Sequence, residues 1–593
     1  ITWNRIYKFP YRTFHWEGID GTKVLTHMPP EGNYNSAAGP HSFLLSERNY
    51  PEKELGTALL VYGAGDGGGG PRESHLEMLS REHDLSGIPH MRFESAISFF
   101  DALRHKTVPH TWLGELYLDV HQGTYTTQAR NKRYNRLMER LLHDAEALAV
   151  LHADDSPYPH PFFEEIWKET LLYQFHDILP GSSIHRVYVE SQAGYARMEM
   201  RLNTYITGSL PPGDSPAAVN LTPFRRSEYV KLDGVWHRAE VPPYAAQALT
   251  PWEPGEQPAC VGDTMANGLL TLTFNEYGEI ASCRGRDGHE LAKGPLNRLT
   301  LYRDKFMVPF NAWDIDPKYY KRRSRRLRAQ EVAFTVDGPR AVRSHVYRTG
   351  KSVIRQNVIL DALSDVVRFE TTVDWHETHR MLRADFYPAD YGDSAEFEIQ
   401  FGTMTRSTLN RDSYEASQFE VCGHKWASVH RDGKGFALLN DSKYGHRAKN
   451  GLLSLNLLRA TVFPDKTADR GAHTFTYAFC PLGADNARAV AEGYRLNHPL
   501  YAGNYAPFSS VAAVADPGVV LDTIKQSEDG EAIVLLLYES LGRETQTALS
   551  TRIRYESARF SDLIENPLEE ADLSSLHFRP YEIKTIRLES GRI

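Results

Sequence analysis

Three patterns of apolar and polar residues follow one another along the chain. In the first hundred residues, short apolar runs at 23–27 and 57–62 predict β-strands, and the spacing of apolar residues over 71–83 predicts a helix. These elements are too few for a complete α/β domain. Residues 1–100 are therefore predicted to be part of a larger β/α domain.

The region 101–205 has the apolar spacing of helices. Over 130–151 leucines recur on one side, and Lys, Arg and Glu occupy the other, which predicts an amphipathic helix. A second helix is predicted at 162–175, after a proline-rich loop. We expect a helical-bundle domain here, followed by a Pro/Gly-rich linker at 210–216.

Beyond this linker, apolar and polar residues alternate, and Gly, Asn and Asp separate the alternating runs. Runs at 270–274, 279–282, 532–537 and 583–588 predict strands. The region 217–593 is therefore predicted to form β-sandwich domains. The whole chain is predicted to be a multidomain protein that combines α/β and all-β parts.

Composition excludes several classes of partner. A net charge of -9 over 593 residues argues against a nucleic-acid or anionic-membrane binder, and the basic cluster at 322–326 suits a solvated loop. The four cysteines lie far apart without C-x-x-C spacing, which favours a reducing compartment over a disulfide framework. No apolar run is long enough to span a bilayer. We expect a cytoplasmic protein with no nucleic-acid or membrane partner.

The strongest chemical signal is the segment 174–183, Gln-Phe-His-Asp-Ile-Leu-Pro-Gly-Ser-Ser, where a predicted helix meets a Pro-Gly stop. His176 and Asp177 at a helix end can project into a cleft, one toward a divalent metal and the other toward a polar ligand. A buried histidine followed by an Asp turn is the structural alternative. For an isolated His-Asp pair, that alternative is favoured.

A second signal is the glycine-rich stretch 61–71, between a predicted strand and a predicted helix. It contains a G-x-G-x-x-G pattern from Gly63, as in a dinucleotide fingerprint. However, Asp66 would direct a carboxylate at the pyrophosphate, and Pro71 follows four glycines that spoil close helix packing. An ordinary turn, a nucleotide site and a ligand-facing catalytic loop all remain open.

A third stretch, 114–129, mixes aromatic, amide and hydroxyl side chains as sugar sites do. Taken alone, it is more typical of the start of a helix with an ordinary Thr cap.

Together these strings resemble the family 38 glycoside hydrolases, the retaining α-mannosidases. The resemblance implies that His176 binds a catalytic zinc ion, that Asp177 contacts mannose, and that Asp66 is the general acid. A general acid is expected in a partly desolvated position with a raised pKa. It also implies that 1–100 ends the catalytic domain and that the helical domain carries the zinc segment.

The resemblance extends to candidate substrate contacts. The stretch 114–129 matches a family segment that borders the mannose subsite, and other candidates lie in a further matching pair and in the β region. The candidate contacts are His121, Tyr125, Tyr34, Asn35, Trp313 and Arg459. For the last two, a packing role is an equal alternative.

One departure from the family matters most. Family members carry a His-x-Asp zinc pair and an Asp nucleophile that this chain does not match, and the His152-Ala153-Asp154 spacing is interpreted as chance. His176 alone lacks the three or four ligands that zinc requires. A retaining glycosidase also needs a second carboxylate about 5 Å from the acid. We therefore expect these residues to be the carboxyl-terminal part of a longer enzyme.

The sequence thus predicts a zinc-dependent retaining α-mannosidase that hydrolyses terminal α-mannosides of mannose-containing oligosaccharides. A homo-oligomer is compatible with this prediction. Two alternatives stay open. One is a non-catalytic carbohydrate-binding or scaffold protein that has lost the nucleophile half, and the other is a nucleotide-dependent oxidoreductase that uses the glycine loop.

Overall fold

The computed structural model describes residues 4–66, 68–151, 157–255, 257–304 and 310–592. The chain divides into two compact units. Unit 1 contains 1–120 and 416–418, and unit 2 contains 121–415 and 419–593. The domain boundaries expected at 100, 205 and 217 stay predictions. Among the described residues, no helix combines the length and the apolar composition needed to cross a bilayer.

Unit 1 contains a small sheet and three helices. Strand β1 pairs antiparallel with β2 and parallel with β3, so β1 is central. The elements are β1 Thr13–Glu17, β2 Lys23–His27, α1 Pro40–Asn49, a 3-10 helix Lys53–Leu55, α2 Glu73–Glu82, α3 Ala96–Arg104 and β3 Thr111–Leu113. The strand predicted at 23–27 and the helix predicted at 71–83 are both present.

The prediction of a strand at 57–62 is wrong. In this run only Tyr62 forms a bridge, which is parallel and isolated, to Ser36. Apolar composition predicts a strand only where a neighbouring strand offers backbone partners. Among the described residues of unit 1, no strand runs beside 57–61.

The helices of unit 2 pack as a bundle. They are α4 Ala129–Leu151, α5 His160–Tyr173 and α6 His185–Ser209, and a 3-10 helix, Gln122–Tyr125, precedes them. Their shared core is built from buried apolar residues of all three helices. It includes Met138, Leu141, Leu142, Leu148, Phe163, Ile166, Tyr195, Met198, Leu202 and Ile206. The helical pattern predicted for the middle of the chain is confirmed.

Helix α4 differs from its predicted amphipathic form. Its polar side is buried as well as its leucine side, and the buried charged residues are Lys132, Arg136, Asp144 and Glu146. The reason is tertiary: strands from the carboxyl-terminal part of unit 2 cover the side that the sequence pattern assigns to solvent. A helical pattern alone does not show how many partners a helix has.

The prediction of a linker at 210–216 is also wrong, because a strand begins within this range. Residues Pro212–Asn220 form a strand that pairs with Tyr501–Tyr505 on one side and Ala245–Ala248 on the other. A Cβ on Gly213 would lie 2.3 Å from the Tyr505 carbonyl carbon. The glycine therefore permits close approach of two backbones, where the sequence pattern indicates a flexible turn.

The elements after α6 are mostly strands. In chain order they are β4 Pro212–Asn220, β5 Arg226–Leu232, β6 Val235–Val241, β7 Ala245–Ala248, β8 Thr250–Pro251, β9 Ala259–Val261, β10 Thr264–Ala266, β11 Leu270–Phe274, β12 Ile280–Gly285, β13 Arg298–Arg303, a 3-10 helix Tyr319–Lys321, β14 Ser324–Arg326, β15 Glu331–Asp337, β16 Arg340–Thr349, β17 Ser352–Asp361, β18 Val367–Trp375, β19 Arg380–Phe386, β20 Ser394–Ile399, β21 Gly402–Ser407, α7 Ser413–Ser417, β22 Val421–Cys422, β23 Trp426–Arg431, β24 Lys434–Asn440, β25 Gly445–Lys449, β26 Leu452–Arg459, β27 Gly471–Leu482, α8 Ala487–Asn497, β28 Tyr501–Tyr505, β29 Ala512–Val514, β30 Val519–Gln526, β31 Ala532–Glu539, β32 Thr545–Thr547, β33 Leu549–Thr551, β34 Ser557–Ser561, β35 Pro567–Glu570, β36 Leu576–Phe578 and β37 Ile583–Glu589.

Two large sheets of unit 2 face each other. The described strands form a nine-stranded sheet, β15-β16-β17-β18-β27-β24-β23-β20-β21, and a six-stranded sheet, β14-β13-β19-β26-β25-β22. Phe386 of the six-stranded sheet lies with its ring centroid 6.0–6.3 Å from four rings of the nine-stranded sheet, those of Phe369, Phe436, Tyr477 and Phe479. Ring contacts between facing sheets are typical of a β-sandwich.

The remaining strands form smaller sheets. A five-stranded sheet, β30-β31-β37-β34-β35, has its own apolar core, which includes Leu521, Leu535, Leu537, Ile586 and Leu588. The others are β12-β11-β10-β9, β28-β4-β7, β5-β6-β8, β29-β33 and β32-β36. The predicted fold class, a multidomain protein with α/β and all-β parts, is confirmed.

The segment 174–183 lies between α5 and α6 and is held against the start of α4. The buried Lys132 Nζ donates to the carbonyls of Thr127 at 2.6 Å and Leu179 at 2.8 Å. Gly181 has φ +96°, and a Cβ there would lie 2.5 Å from the Thr127 carbonyl oxygen. One buried ammonium and one glycine therefore fix where this segment sits.

We expect Lys132→Met to destabilise the protein by about 1–3 kcal/mol, because buried carbonyls lose their donor. The apparent Tm measures this effect. The matched control is Lys168→Met, which removes an exposed lysine paired with Glu164 and should change stability by less than about 0.5 kcal/mol. Equal shifts in the two variants would contradict the anchoring role of Lys132.

Among the described residues, six histidines that are buried or half-buried make the fold sensitive to acid. Burial is the main cause that lowers their pKa, to about 4 for His27, His345 and His498 and to about 3 for His424, His446 and His473. These rings stay neutral in the folded protein, whereas the unfolded chain protonates them below about pH 6.5. Protons therefore bind preferentially to the unfolded state, and stability falls as the pH drops below that value.

The replacement His446→Gln tests this pH dependence. Each such histidine contributes up to about 1.4 kcal/mol of lost stability per pH unit below about pH 6.5. The apparent Tm of His446→Gln should therefore fall less than that of the wild type between about pH 7.5 and about pH 5.5. A control, His105→Gln, changes an exposed ring and should follow the wild type. An identical fall in all three proteins would contradict the prediction.

Candidate active site

The loop that carries Asp66 is closed by its own backbone. Ala64 N donates to Gly70 O at 2.9 Å, and Asp66 has a left-handed φ of +53°. A Cβ on Gly65 would lie 2.1 Å from Asn35 Oδ1, so a glycine is required where the loop passes this side chain. Gly65 thus permits close packing of the loop against Asn35.

Tyr34 contacts Asp66 directly. Its hydroxyl donates to Asp66 Oδ1 at 2.9 Å, and this hydrogen bond is the main cause that raises the pKa of Tyr34. Tyr34 is 44 % exposed and Asp66 is exposed as well. The structure therefore brings Tyr34, Asn35 and Asp66 together. The Asp66 carboxyl lies on the surface of unit 1, where the resemblance implied a partly desolvated position.

The context of this loop differs from that of a dinucleotide fingerprint. Such a fingerprint requires a strand of a parallel sheet that leads directly into the loop. The run at 57–62 forms only one bridge, and the described sheet of unit 1 has the order β2-β1-β3. The oxidoreductase alternative therefore has no structural support among the described residues.

His176 and Asp177 lie in the turn after α5, and their environments differ. The His176 side chain is 80 % exposed, and its Nε2 lies 3.6 Å from Asp177 Oδ2. Asp177 is fixed: its Oδ1 accepts from Ser182 Oγ at 2.7 Å, and its carbonyl accepts from Ser183 Oγ at 2.9 Å and Tyr188 OH at 3.1 Å. The interpretation as a buried histidine is wrong, because this imidazole is open to a ligand.

Three further candidates surround the 3-10 helix Gln122–Tyr125. His121, just before it, has φ +68° and donates its backbone N–H to Asp314 Oδ1 at 2.7 Å. Gly123 N donates to the Trp313 carbonyl at 2.8 Å. The side chains of His121, Tyr125 and Trp313 are half-buried. These three residues are therefore neighbours in unit 2, and their contact with a sugar stays a prediction.

Arg459 lies beside this group but is fully buried, with 0 % exposure. Its Nε donates to Asp304 Oδ2 at 2.6 Å, and its Nη1 donates to Thr127 Oγ1 at 3.1 Å. Its Nη2 donates to the Asp314 carbonyl. Because protein groups use each nitrogen of the guanidinium, these contacts favour the packing role over a sugar contact.

The described residues do not complete a zinc site around His176. Zinc takes three or four protein ligands, and the metal-capable side chain that contacts His176 is Asp177. Among the described residues, the group of three with metal-ligand spacing is His143, Asp144 and His498, whose ligand atoms lie within 4.8 Å of one another. The His152-Ala153-Asp154 spacing lies outside the described residues.

Sequence reasoning missed the His143, Asp144 and His498 group because His498 is far along the chain from the adjacent His143 and Asp144. Asp144 Oδ1 lies 2.8 Å from His143 Nδ1, and Asp144 Oδ2 accepts from Tyr501 OH at 2.6 Å. Burial raises the pKa of Asp144, but hydrogen bonds from His143 and His498 outweigh it, so the net shift is downward. Without an ion, this group is a satisfied buried network around a carboxylate.

Family models match four stretches of the chain. The Glycosyl hydrolases family 38 N-terminal domain matches 1–126, and the Alpha mannosidase middle domain matches 119–210. The Glycosyl hydrolases family 38 C-terminal domain matches 265–467, and the family's C-terminal beta sandwich domain matches 518–586. The matches therefore follow one another in chain order from residue 1 to residue 586.

Curated relatives carry α-mannosidase names. Alpha-mannosidase 2C1 of Homo sapiens is 32 % identical over 99 % of this chain and 61 % of its own length. Alpha-mannosidase G of Dictyostelium discoideum is 31 % identical over 100 % of the chain and 63 % of its own length. Alpha-mannosidase of Saccharomyces cerevisiae is 30 % identical over 99 % and 60 %. The chain spans about three fifths of the length of these relatives.

Solved structures agree on the fold. An alpha-mannosidase from Enterococcus faecalis V583 superposes with a TM-score of 0.82 at 15 % identity, covering 99 % of this chain and 83 % of that one. At this identity the likeness shows the fold alone. Together with the four matching models and the curated relatives, it leads to one conclusion: this chain belongs to glycoside hydrolase family 38.

Proposed function

We propose that this chain is part of a retaining α-mannosidase that hydrolyses terminal α-mannosides of mannose-containing oligosaccharides. Family membership and the names of the curated relatives support the substrate class. The observation that carries the proposal is the turn after α5, which holds Asp177 by hydrogen bonds while it leaves His176 exposed. A ligand can reach both side chains without rearrangement of the turn.

In this proposal Asp66 is the general acid. The Tyr34 hydroxyl already donates to Asp66 Oδ1, which leaves Oδ2 as the oxygen that would carry the proton to be transferred. As the bond between the anomeric carbon and the leaving oxygen breaks, Asp66 gives that proton to the oxygen. The hydrogen bond from Tyr34 then helps to stabilise the carboxylate that remains. Exclusion of water from Asp66 would come from the bound substrate, because unit 1 leaves this carboxyl exposed.

Asp177 is proposed as a mannose contact. One carboxylate oxygen accepts from Ser182 Oγ at 2.7 Å, which orients the group and leaves the other oxygen for a sugar hydroxyl. A charge-assisted hydrogen bond of this kind contributes more than a neutral one. A substrate hydroxyl would therefore meet an acceptor that is already in place.

His176 is proposed as one zinc ligand of the family site. The described residues supply no complete ligand set around it, so no step of the reaction is assigned to the metal. A retaining reaction also needs a carboxylate nucleophile about 5 Å from the acid, and none of the proposed site residues supplies it. A non-catalytic carbohydrate-binding role remains the alternative. The cytoplasmic location stays a prediction.

The replacement Asp66→Asn, made in the natural full-length polypeptide, tests the acid. A poor leaving group depends on protonation, so kcat/KM for a mannose disaccharide should fall by about 10²- to 10⁴-fold. Hydrolysis of a dinitrophenyl mannoside, whose leaving group needs no proton, should change far less. The matched control is Glu73→Gln, at the start of α2. If Asp66→Asn slows both substrates equally, Asp66 only shapes the loop, and selective loss in Glu73→Gln would make Glu73 the acid.

The replacement His176→Ala tests the metal ligand in the natural full-length polypeptide. Loss of one imidazole ligand should weaken zinc binding by at least about 10- to 100-fold, as measured by bound zinc after dialysis. Asp177→Asn should retain zinc and raise KM for mannosides instead. The control is His143→Ala, which changes the buried His143, Asp144 and His498 group. Zinc that is retained in His176→Ala and lost in His143→Ala would place the metal in that group.

A further inference from the structure

Unit 2 contains a cavity of about 820 Å³ beside α4. Its lining comes from α4, α5, the end of α8, the strands β20, β30 and β31, and the segments 400–401 and 424–425. Helix α4 presents Arg136, Arg140 and His143 to this cavity, at spacings of four and three residues that place them on one face. The cavity is large enough to hold a small molecule rather than only a single ion.

Arg136 is a buried cation without an anionic partner. It is 8 % exposed, and it donates only to neutral groups, from Nε to Tyr444 OH at 3.1 Å and from Nη1 to Asn497 Oδ1 at 3.0 Å. Its Nη2 is buried and has no hydrogen-bond partner among the described residues. A buried charge and a buried donor are both costly unless they are paired.

None of the described acidic residues nearby forms an ion pair with Arg136. Burial lowers the pKa of Arg136, but the charges of Tyr444, Glu139 and Glu398 outweigh it, so the net shift is upward. Glu398 is held by Lys425, whose Nζ lies 2.8 Å from its carboxylate. Asp144 is held by the two histidines and Tyr501 described above. Glu139 is exposed and accepts from Asn135 Nδ2 at 2.9 Å. None of these carboxylates lies within 4 Å of the Arg136 guanidinium.

The end of the cavity that Arg136 lines has a second cationic side chain, that of Arg140. Arg140 is half-buried and lines the cavity, and within the described ranges no carboxylate lies within ion-pair distance of it. His424 also lines it, and burial, followed by the charges of Arg136 and Lys425, lowers its pKa to about 3. His424 is therefore neutral near pH 7, so the cationic side chains from α4 at this place are Arg136 and Arg140.

We propose that this end of the cavity binds the phosphate group of a small ligand, through Arg136 and Arg140. A guanidinium pairs with two phosphate oxygens at once, which would give the unpaired Nη2 of Arg136 an acceptor. Trp167 and Phe401 also line the cavity, and their rings suit a sugar attached to that phosphate. The ligand is either free phosphate or a sugar phosphate, and the site does not depend on the proposed hydrolysis.

Calorimetric titration of the full chain tests the site, with inorganic phosphate, mannose 6-phosphate and mannose as probes. The wild type should bind one phosphate per chain. Arg136→Met and Arg140→Gln should each raise the Kd for phosphate by at least about tenfold, because each removes a charge-assisted contact. The control Lys168→Gln removes another cavity-lining cation, already paired with Glu164, and should leave the Kd unchanged.

The probes distinguish the two sources of phosphate. Tighter binding of mannose 6-phosphate than of phosphate assigns a sugar phosphate, and equal binding assigns free phosphate. Mannose binding as tight as that of mannose 6-phosphate would overturn the proposal. So would a wild type that binds no phosphate at about 10 mM, or a Kd that neither arginine replacement changes.

Thermal unfolding gives a second readout. Phosphate should raise the Tm of the wild type and of Lys168→Gln but not that of Arg136→Met, because only a bound ligand stabilises the folded state. In phosphate-free buffer, Arg136→Met should be less stable than the wild type, because Tyr444 OH and Asn497 Oδ1 lose their donor. If Arg136→Met does not fold, Arg140→Gln decides the outcome by the same comparison.

Discussion

Burial of the polar side of α4 is the constraint on which unit 2 depends. A buried polar group must find a partner inside the protein, and several partners of α4 come from segments hundreds of residues away. Asp469 accepts the backbone N–H groups of Gln128 at 3.0 Å and Ala129 at 2.8 Å, which caps the start of the helix. Lys132 binds carbonyls of the segment before α4 and of the segment between α5 and α6. Each of these bonds fixes one segment relative to the helix axis.

The proposed sugar-binding part of unit 2 follows from this constraint. Thr127 is a shared point: its carbonyl accepts from Lys132, its hydroxyl accepts from Arg459, and it lies against Gly181. The turn that carries His176 and the group around Trp313 are therefore positioned by the same few buried contacts. Preorganisation of this kind lets an exposed imidazole keep a defined position without a ligand.

The spacing of apolar residues was sufficient to predict the elements whose apolar residues recur within a few positions. The helices at 130–151 and 162–175 and the strands at 270–274 and 532–537 were predicted from periodicity, because their apolar residues recur within a few positions. The predictions at 57–62 and 210–216 were wrong for opposite reasons. The first apolar run has no strand beside it, and the second, rich in Pro and Gly, pairs with a strand nearly three hundred residues later.

Some site residues could be proposed from the sequence, and others could not. His176, Asp177 and Asp66 could be proposed because each belongs to a contiguous string that resembles a segment of the family. The His143, Asp144 and His498 group, the anchor Lys132 and the unpaired Arg136 could not, because their roles depend on partners that only the fold brings near. A helical pattern records which residues share a face, but it does not record what covers that face.

The central claim is that the turn after α5 presents a metal-binding imidazole beside a sugar-binding carboxylate. Crystallographic data collected at the zinc absorption edge, from the natural full-length polypeptide with mannose bound, test it most directly. The account predicts an anomalous peak at about 2.1 Å from an imidazole nitrogen of His176, with Asp177 in contact with the sugar. An anomalous peak between His143 and His498, with no density beside His176, would contradict it.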